Sequence, residues 1–230
     1  GAVLATITAA AMPAVRLAPM LRLRALAGLG DADLVNLQRG NLIDSTAPNP
    51  SVEMLLHSWL PHAYVDHTHA TPFLVLANLP EAAAAAREIF GTRLALVPYF
   101  MPGFALARAA ADAYEANPEA EGLLLVNHGH VTWGPSAKAA YDRLISHVAE
   151  VEAWLADRRP APLRPTAAIA APQLAELLPV LRGALASVLP EPTALPVLDL
   201  RGSDDVRAFL ARPDIADLAA RGVATPDHVI

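Results

Sequence analysis

The chain has 230 residues, of which 54% are hydrophobic, and a formal net charge of −6. That length suits one substantial domain with an appendage, and that apolar content excludes a disordered polymer. No lysine or arginine cluster offers a nucleic-acid surface, no apolar run reaches membrane-spanning length, and the absence of cysteine removes disulfides and thiolate metal sites.

Residues 1–14 are apolar and rich in small side chains, without the basic start of a signal peptide, and read as a buried strand leading into a helix. The lack of an initiating Met marks the chain as a fragment or a trimmed product. Arg16–Leu26 has helical apolar spacing and stops before Gly28 and Gly30, and Asp31 is placed to cap a short helix through Leu37. A loop rich in Asn, Pro and Ser follows over 40–50. Ser51 is placed to cap a helix from Val52 to about Leu60, stopped by Pro61.

Tyr64–His69 reads as a strand, Thr71–Leu79 as a short helix, and Glu81–Phe90 as a helix ended by Gly91. Leu94–Tyr99 is a second strand and Phe104–Ala116 an amphipathic helix. Gly122–His128 (GLLLVNH) is a strand buried on both faces, and Pro135 opens a long helix to about Arg158. Strands alternating with helices predict a layered α/β head over residues 1–159. Residues 160–230 read as a proline-rich linker and an extension, with a helix near 173–188, a strand near Val197 and short helices before Thr225.

The chemistry concentrates in Val65-Asp66-His67-Thr68-His69. On a strand, side chains at i and i+2 share a face, so His67 and His69 stand side by side as a metal clamp, with Asp66 turned away. Such a pair is weak evidence alone. His128, at the end of an apolar strand and before Gly129, adds a third imidazole at a sheet end, where α/β proteins place their sites. Three histidines leave coordination positions open, as at a catalytic metal. His130 shares the strand parity of His128 and is the alternative ligand. His57 and His62 read as capping or packing residues, His147 as solvated or at a helix contact, and Trp59, Trp133 and Trp154 as core or interface.

The order Pro50-Ser51-Val52-Glu53, His67-Thr68-His69, His128-Gly129 resembles the class II aldolase/adducin family. The resemblance is closest to the aldolase half of bifunctional rhamnulose-phosphate aldolase/short-chain dehydrogenase proteins. PSVEMLLHSWLPHAYVDHTHA, VPYFMPGFALA, NHGHVTWGPSAKAAYDRLISHVAEVE and the final ATPDHVI carry it. The resemblance implies a three-layer α/β/α sandwich and a divalent metal, zinc first with cobalt or manganese as alternatives. It implies His67, His69 and His128 as ligands, Glu53 as the acid/base and Ser51 on the substrate phosphate. His228 and Tyr99 are further candidates at the site or across subunits, and Tyr64 and Tyr99 candidate proton donors to a leaving aldehyde.

The implied activity is retro-aldol cleavage of a ketose 1-phosphate, with rhamnulose 1-phosphate first, in a cytoplasmic homo-oligomer without nucleic-acid or membrane partners. Family epimerases or decarboxylating aldolases, and a non-catalytic adducin-like assembly domain, are the alternatives. Two departures stand out: the chain opens at Gly1-Ala2, where relatives end a phosphate-binding Lys/Thr-x-Ser-Gly loop, and Val52 replaces a second phosphate-binding serine of some relatives. No nicotinamide site is expected in this chain.

Overall fold

The computed structural model describes residue 8 and residues 12–158, 164–167, 171–189 and 196–223. It divides into two compact units, one of Gly1–Arg158 with Val223–Ile230 and one of Arg159–Gly222.

The first unit is built on a four-stranded sheet in the order β1-β4-β3-β2. The strands are β1 (Tyr64–Thr68), β2 (Leu94–Val97), β3 (Gly122–Leu125) and β4 (Gly129–Gly134). β2 and β3 pair in parallel, while β4 runs antiparallel to both β1 and β3. β1, β2 and β3 therefore point the same way.

Helices cover both faces. On one lie α1 (Leu17–Arg22), α2 (Asp31–Gly40), α3 (Met54–Trp59) and α6 (Phe104–Ala116), packed on Val97, Leu123, Leu125, Val131 and Trp133. On the other lie α4 (Thr71–Ala77), α5 (Ala82–Phe90) and α7 (Ala137–Ala156), packed on Leu94 and Leu124. The result is the predicted α/β/α sandwich, with one apolar core on each side of the sheet. Every residue of β3 is buried, as its unbroken apolar run predicts.

The helix boundaries follow local chemistry. α5 ends where Gly91 adopts φ +61°, a conformation a Cβ disfavours. Ser136 caps α7 by accepting the Ala139 N–H at 3.1 Å. α6 spans the predicted residues, but α3 starts later than its sequence suggests. Glu53, not Ser51, is its N-cap, and Ser51 Oγ instead accepts the Glu53 N–H at 3.2 Å. Asp31 is likewise the first residue of α2, with Gly30 as the cap.

Two strand readings need correction. The third strand ends at Leu125 rather than His128, because the chain turns there into β4. β4 (GHVTWG) had no counterpart in the sequence reading: it is short, bracketed by glycines and buried on both faces, with Val131 and Trp133 in one core and His130 in the other.

The second unit contains α8 (Ala171–Val188), α9 (Asp204–Leu210) and α10 (Ile215–Ala220). Ser203 caps α9 by accepting the Val206 N–H at 3.2 Å. The strand expected near Val197 is absent: Val197 is 92% exposed, and no described strand offers it a ladder partner. Among the described residues no helix is long and apolar enough to cross a membrane.

Candidate metal centre

Strand parity sets the geometry. His67 lies opposite Val131 in the β1–β4 ladder, and Val131 lies opposite Leu123. Opposed residues share a face. His67 therefore projects on the α3 side of the sheet, whereas Asp66 and Thr68 fall on the other. His69 follows β1 directly, and His128 sits in the short connection from β3 to β4. Both histidines thus lie beyond the carboxyl ends of parallel strands, where open α/β sheets hold their ligands.

The three imidazoles meet edge to face, with centroids 4.7 Å apart for His67–His69, 5.1 Å for His67–His128 and 4.9 Å for His69–His128. Glu53, at the start of α3, completes the group. Its Oε1 lies 2.8 Å from His128 Nε2 and 3.6 Å from His67 Nε2. One ligand atom from each of the four residues lies within 4.8 Å of the others. Donor atoms held at about 2.1 Å from one ion are about 3.4 Å apart in a tetrahedral set, so the side chains close in by up to about 1.4 Å to hold one.

The chemistry of the donors fits a divalent cation. His67 Nδ1 lies 2.9 Å from the carbonyl oxygen of His130, which can only accept, so Nδ1 carries the proton and Nε2 presents a lone pair. Glu53 Oε1 and His67 Nε2 are buried without a hydrogen bond. Leaving such atoms bare costs about 1–3 kcal/mol each, more for a charge, and a cation among them removes that cost. Burial alone would raise the Glu53 carboxyl, but the adjacent His128 and His67 imidazoles, when protonated, outweigh it and hold it below the usual range.

Gly129 makes the convergence sterically feasible. A Cβ there would stand 2.7 Å from both His69 Cδ2 and the Thr68 carbonyl oxygen, and 3.1 Å from His67 Cε1. Its role is close approach between β4 and β1 rather than the turn itself. The turn is made by Asn127, at φ +56°. The sequence signal for it was Asn directly before His-Gly, since Asn tolerates the left-handed region.

The remaining candidates separate. Ser51 stands two residues before Glu53, exposed, and its side chain holds the Glu53 backbone. Tyr99 is 48% exposed, with its hydroxyl 2.9 Å from Met101 Sδ. Tyr64 is also exposed. His228, like the final ATPDHVI, lies outside the described residues. His130 is not in the cluster: it faces the opposite core, stacked on Phe73 at 3.8 Å and bonded to His147 at 3.1 Å. His147 in turn meets Glu121 at 3.3 Å, so it is a buried helix contact. His57 lies 3.1 Å from the Val65 carbonyl, and His62 stacks on Trp133 at 5.0 Å.

Three histidines at the carboxyl ends of strands and a glutamate at the start of α3 form, in this α/β/α sandwich, a group that could hold a metal ion. The Class II Aldolase and Adducin N-terminal domain model matches residues 25–155, and a model of the second domain of class II aldolases matches 172–230. The chain belongs to the class II aldolase/adducin family. It is 33% identical over 212 residues to the uncharacterized oxidoreductase YuxG of Bacillus subtilis (strain 168), covering 87% of this chain and 30% of that one. The chain thus spans under a third of that curated relative's length. The N-terminal class II aldolase domain of a conserved Thermoplasma acidophilum protein superposes with a TM-score of 0.63 at 30% identity. That match covers 67% of this chain and 71% of the other.

Proposed function

We propose that the chain catalyses metal-dependent retro-aldol cleavage of a ketose 1-phosphate, rhamnulose 1-phosphate first, to dihydroxyacetone phosphate and an aldehyde. The observation that carries this reading is the convergence of His67, His69, His128 and the buried Glu53 carboxylate on one small volume. His67, His69 and His128 hold the cation, with zinc first and cobalt or manganese next. When bound, it supplies Lewis-acid stabilisation of negative charge on the substrate oxygens.

Cleavage of the C3–C4 bond turns the C4 hydroxyl into the aldehyde carbonyl and leaves an electron pair on C3. One proton leaves an oxygen and one arrives at carbon. Glu53 stands 2.8 Å from His128 within the cluster, so it is the carboxyl group placed to move a proton. The Ser51 hydroxyl, two residues earlier and exposed, contributes to phosphate binding. Identity with a longer relative named an oxidoreductase supports reading the chain as the aldolase half of a bifunctional aldolase/dehydrogenase. A cytoplasmic homo-oligomer completes the proposal.

The test is incubation of the zinc-loaded chain with rhamnulose 1-phosphate, with dihydroxyacetone phosphate measured by coupled reduction. Product formation that chelation abolishes is the expected result. Turnover confined to a pentulose phosphate or a non-phosphorylated acid would replace cleavage by epimerisation or decarboxylation. No turnover of any sugar phosphate by a metal-loaded chain would favour an assembly role.

A further inference from the structure

The two halves of the metal centre come from distant segments: His67 and His69 from β1 and the residue just after it, and His128 from the β3–β4 connection. One element joins them. α4 begins two residues after His69, at Thr71, and its C-cap is Asn78. Asn78 is bonded to the β3–β4 connection through its neighbour in space, Asn127. Asn127 Nδ2 donates to Asn78 Oδ1 at 3.0 Å, and the Asn127 backbone N–H donates to the Ala77 carbonyl at 2.9 Å.

The other end of the Asn78 amide is also committed. Its Nδ2 donates to the Leu74 carbonyl at 2.8 Å, in the last turn of α4. The amide is therefore held in one orientation, with its oxygen facing Asn127. α4 itself cannot slide, because Phe73 and Leu76 are fully buried in the core. On the other side of the joint, Asn127 has the one positive φ of any non-glycine among the described residues, and His128 N–H closes the turn onto the Leu125 carbonyl at 3.1 Å. Such a backbone conformation costs energy in most residues and persists where the surroundings fix it. It stands directly before a candidate ligand.

We infer that Asn127 is a positioning residue: with Asn78 it pins the β3–β4 turn to the end of α4, and so registers His128 against His67 and His69. The inference rests on the metal-site reading above. Asn127 is exposed, so its side chain contributes little to the core, and substitutions there leave the two apolar cores intact.

The experiment compares the 230-residue chain with Asn127→Ala, which loses both the amide and the easy left-handed turn, and Asn127→Gly, which keeps the turn and loses the amide. Zinc affinity is measured by competition with a chromophoric chelator, and the fold by near-ultraviolet circular dichroism and thermal unfolding. The histidine ring resonances of the metal-free proteins are compared by nitrogen-15 NMR. The expected result is a tenfold or greater loss of zinc affinity in Asn127→Ala on a folded chain, a smaller loss in Asn127→Gly, and His128 ring signals displaced in the metal-free variants. Wild-type zinc affinity in folded Asn127→Ala, or unmoved His128 signals, would overturn it. A wild-type chain that binds no zinc while its His128 signals still move in the variants defeats the metal reading and leaves the positioning role standing.

Discussion

His67 gives its Nδ1 proton to the backbone carbonyl of His130 across the β1–β4 ladder, at 2.9 Å. Turning the ring away would break that bond, which ties the side chain to the backbone of β4. It fixes the tautomer and directs the Nε2 lone pair toward Glu53. The site is thus prepared by the same hydrogen-bonding face of β4 that completes the sheet.

Glu53→Gln keeps the size and shape of the side chain and removes its charge and basicity. The zinc-loaded variant is expected to fall about 10²–10⁴-fold in kcat on the cleaved sugar phosphate while KM changes little. Steady-state kinetics check this, and an unchanged kcat would remove Glu53 from the proton transfer.

Gly129→Ala places a methyl group where His69 and the Thr68 carbonyl already stand, both 2.7 Å from the new Cβ. β4 must move off β1 or the histidines must splay. The expected cost is about 1–3 kcal/mol of stability, with weaker metal binding. Urea unfolding and a zinc titration measure the two effects. A variant with unaltered stability and affinity would mean the strands are looser than their contacts suggest.

His147 is 1% exposed and lies between His130 and Glu121. Burial pushes its imidazole below the ordinary value, with the charge of Arg93 adding to this and Glu121 and Glu150 opposing it. A depressed histidine means that the unfolded chain takes up the proton first as pH falls. Stability is therefore full above about pH 6.5 and declines as pH drops from there toward the folded value, by at most about 1.4 kcal/mol per pH unit for one proton. Urea unfolding between pH 7.5 and 5 is expected to show this slope, reduced in His147→Gln. Equal slopes in both proteins would assign the acid sensitivity elsewhere.

Phe73 is fully buried and stacks on the ring of His130 at 3.8 Å, with Phe90 beyond it at 6.0 Å. Phe73→Ala opens a cavity under α4 and is expected to cost about 3–5 kcal/mol, whereas Phe73→Leu costs less. Denaturant midpoints distinguish them. A loss below about 1 kcal/mol for the alanine variant would show that this core collapses around the gap.

The layered architecture was legible because apolar runs and helical periodicity alternate along residues 16–158, and because a stop such as Gly91 is a local signal, whereas Pro135 proved to precede α7, whose cap is Ser136. β4 was not legible. Its alternating His130-Val131-Thr132-Trp133 is only four residues between glycines, and one of its two ladders depends on partners more than 60 positions away in the Tyr64↔Gly134 register. The His67–His69 pair could be read from strand parity alone. Glu53 could not, since nothing local links a helix start at residue 53 to a strand at 67, and only the family resemblance singled it out. Asn127 and Asn78 escaped notice because a left-handed turn and a contact over 49 positions are properties of the folded chain.

The most direct test of the central claim is the metal content of the purified chain after reconstitution and removal of excess ion, beside His128→Ala. The account predicts about one divalent ion per wild-type chain, with zinc preferred, and its loss in a folded His128→Ala variant. A wild-type chain that retains no zinc, cobalt or manganese, or a variant that binds as well as wild type, would contradict it.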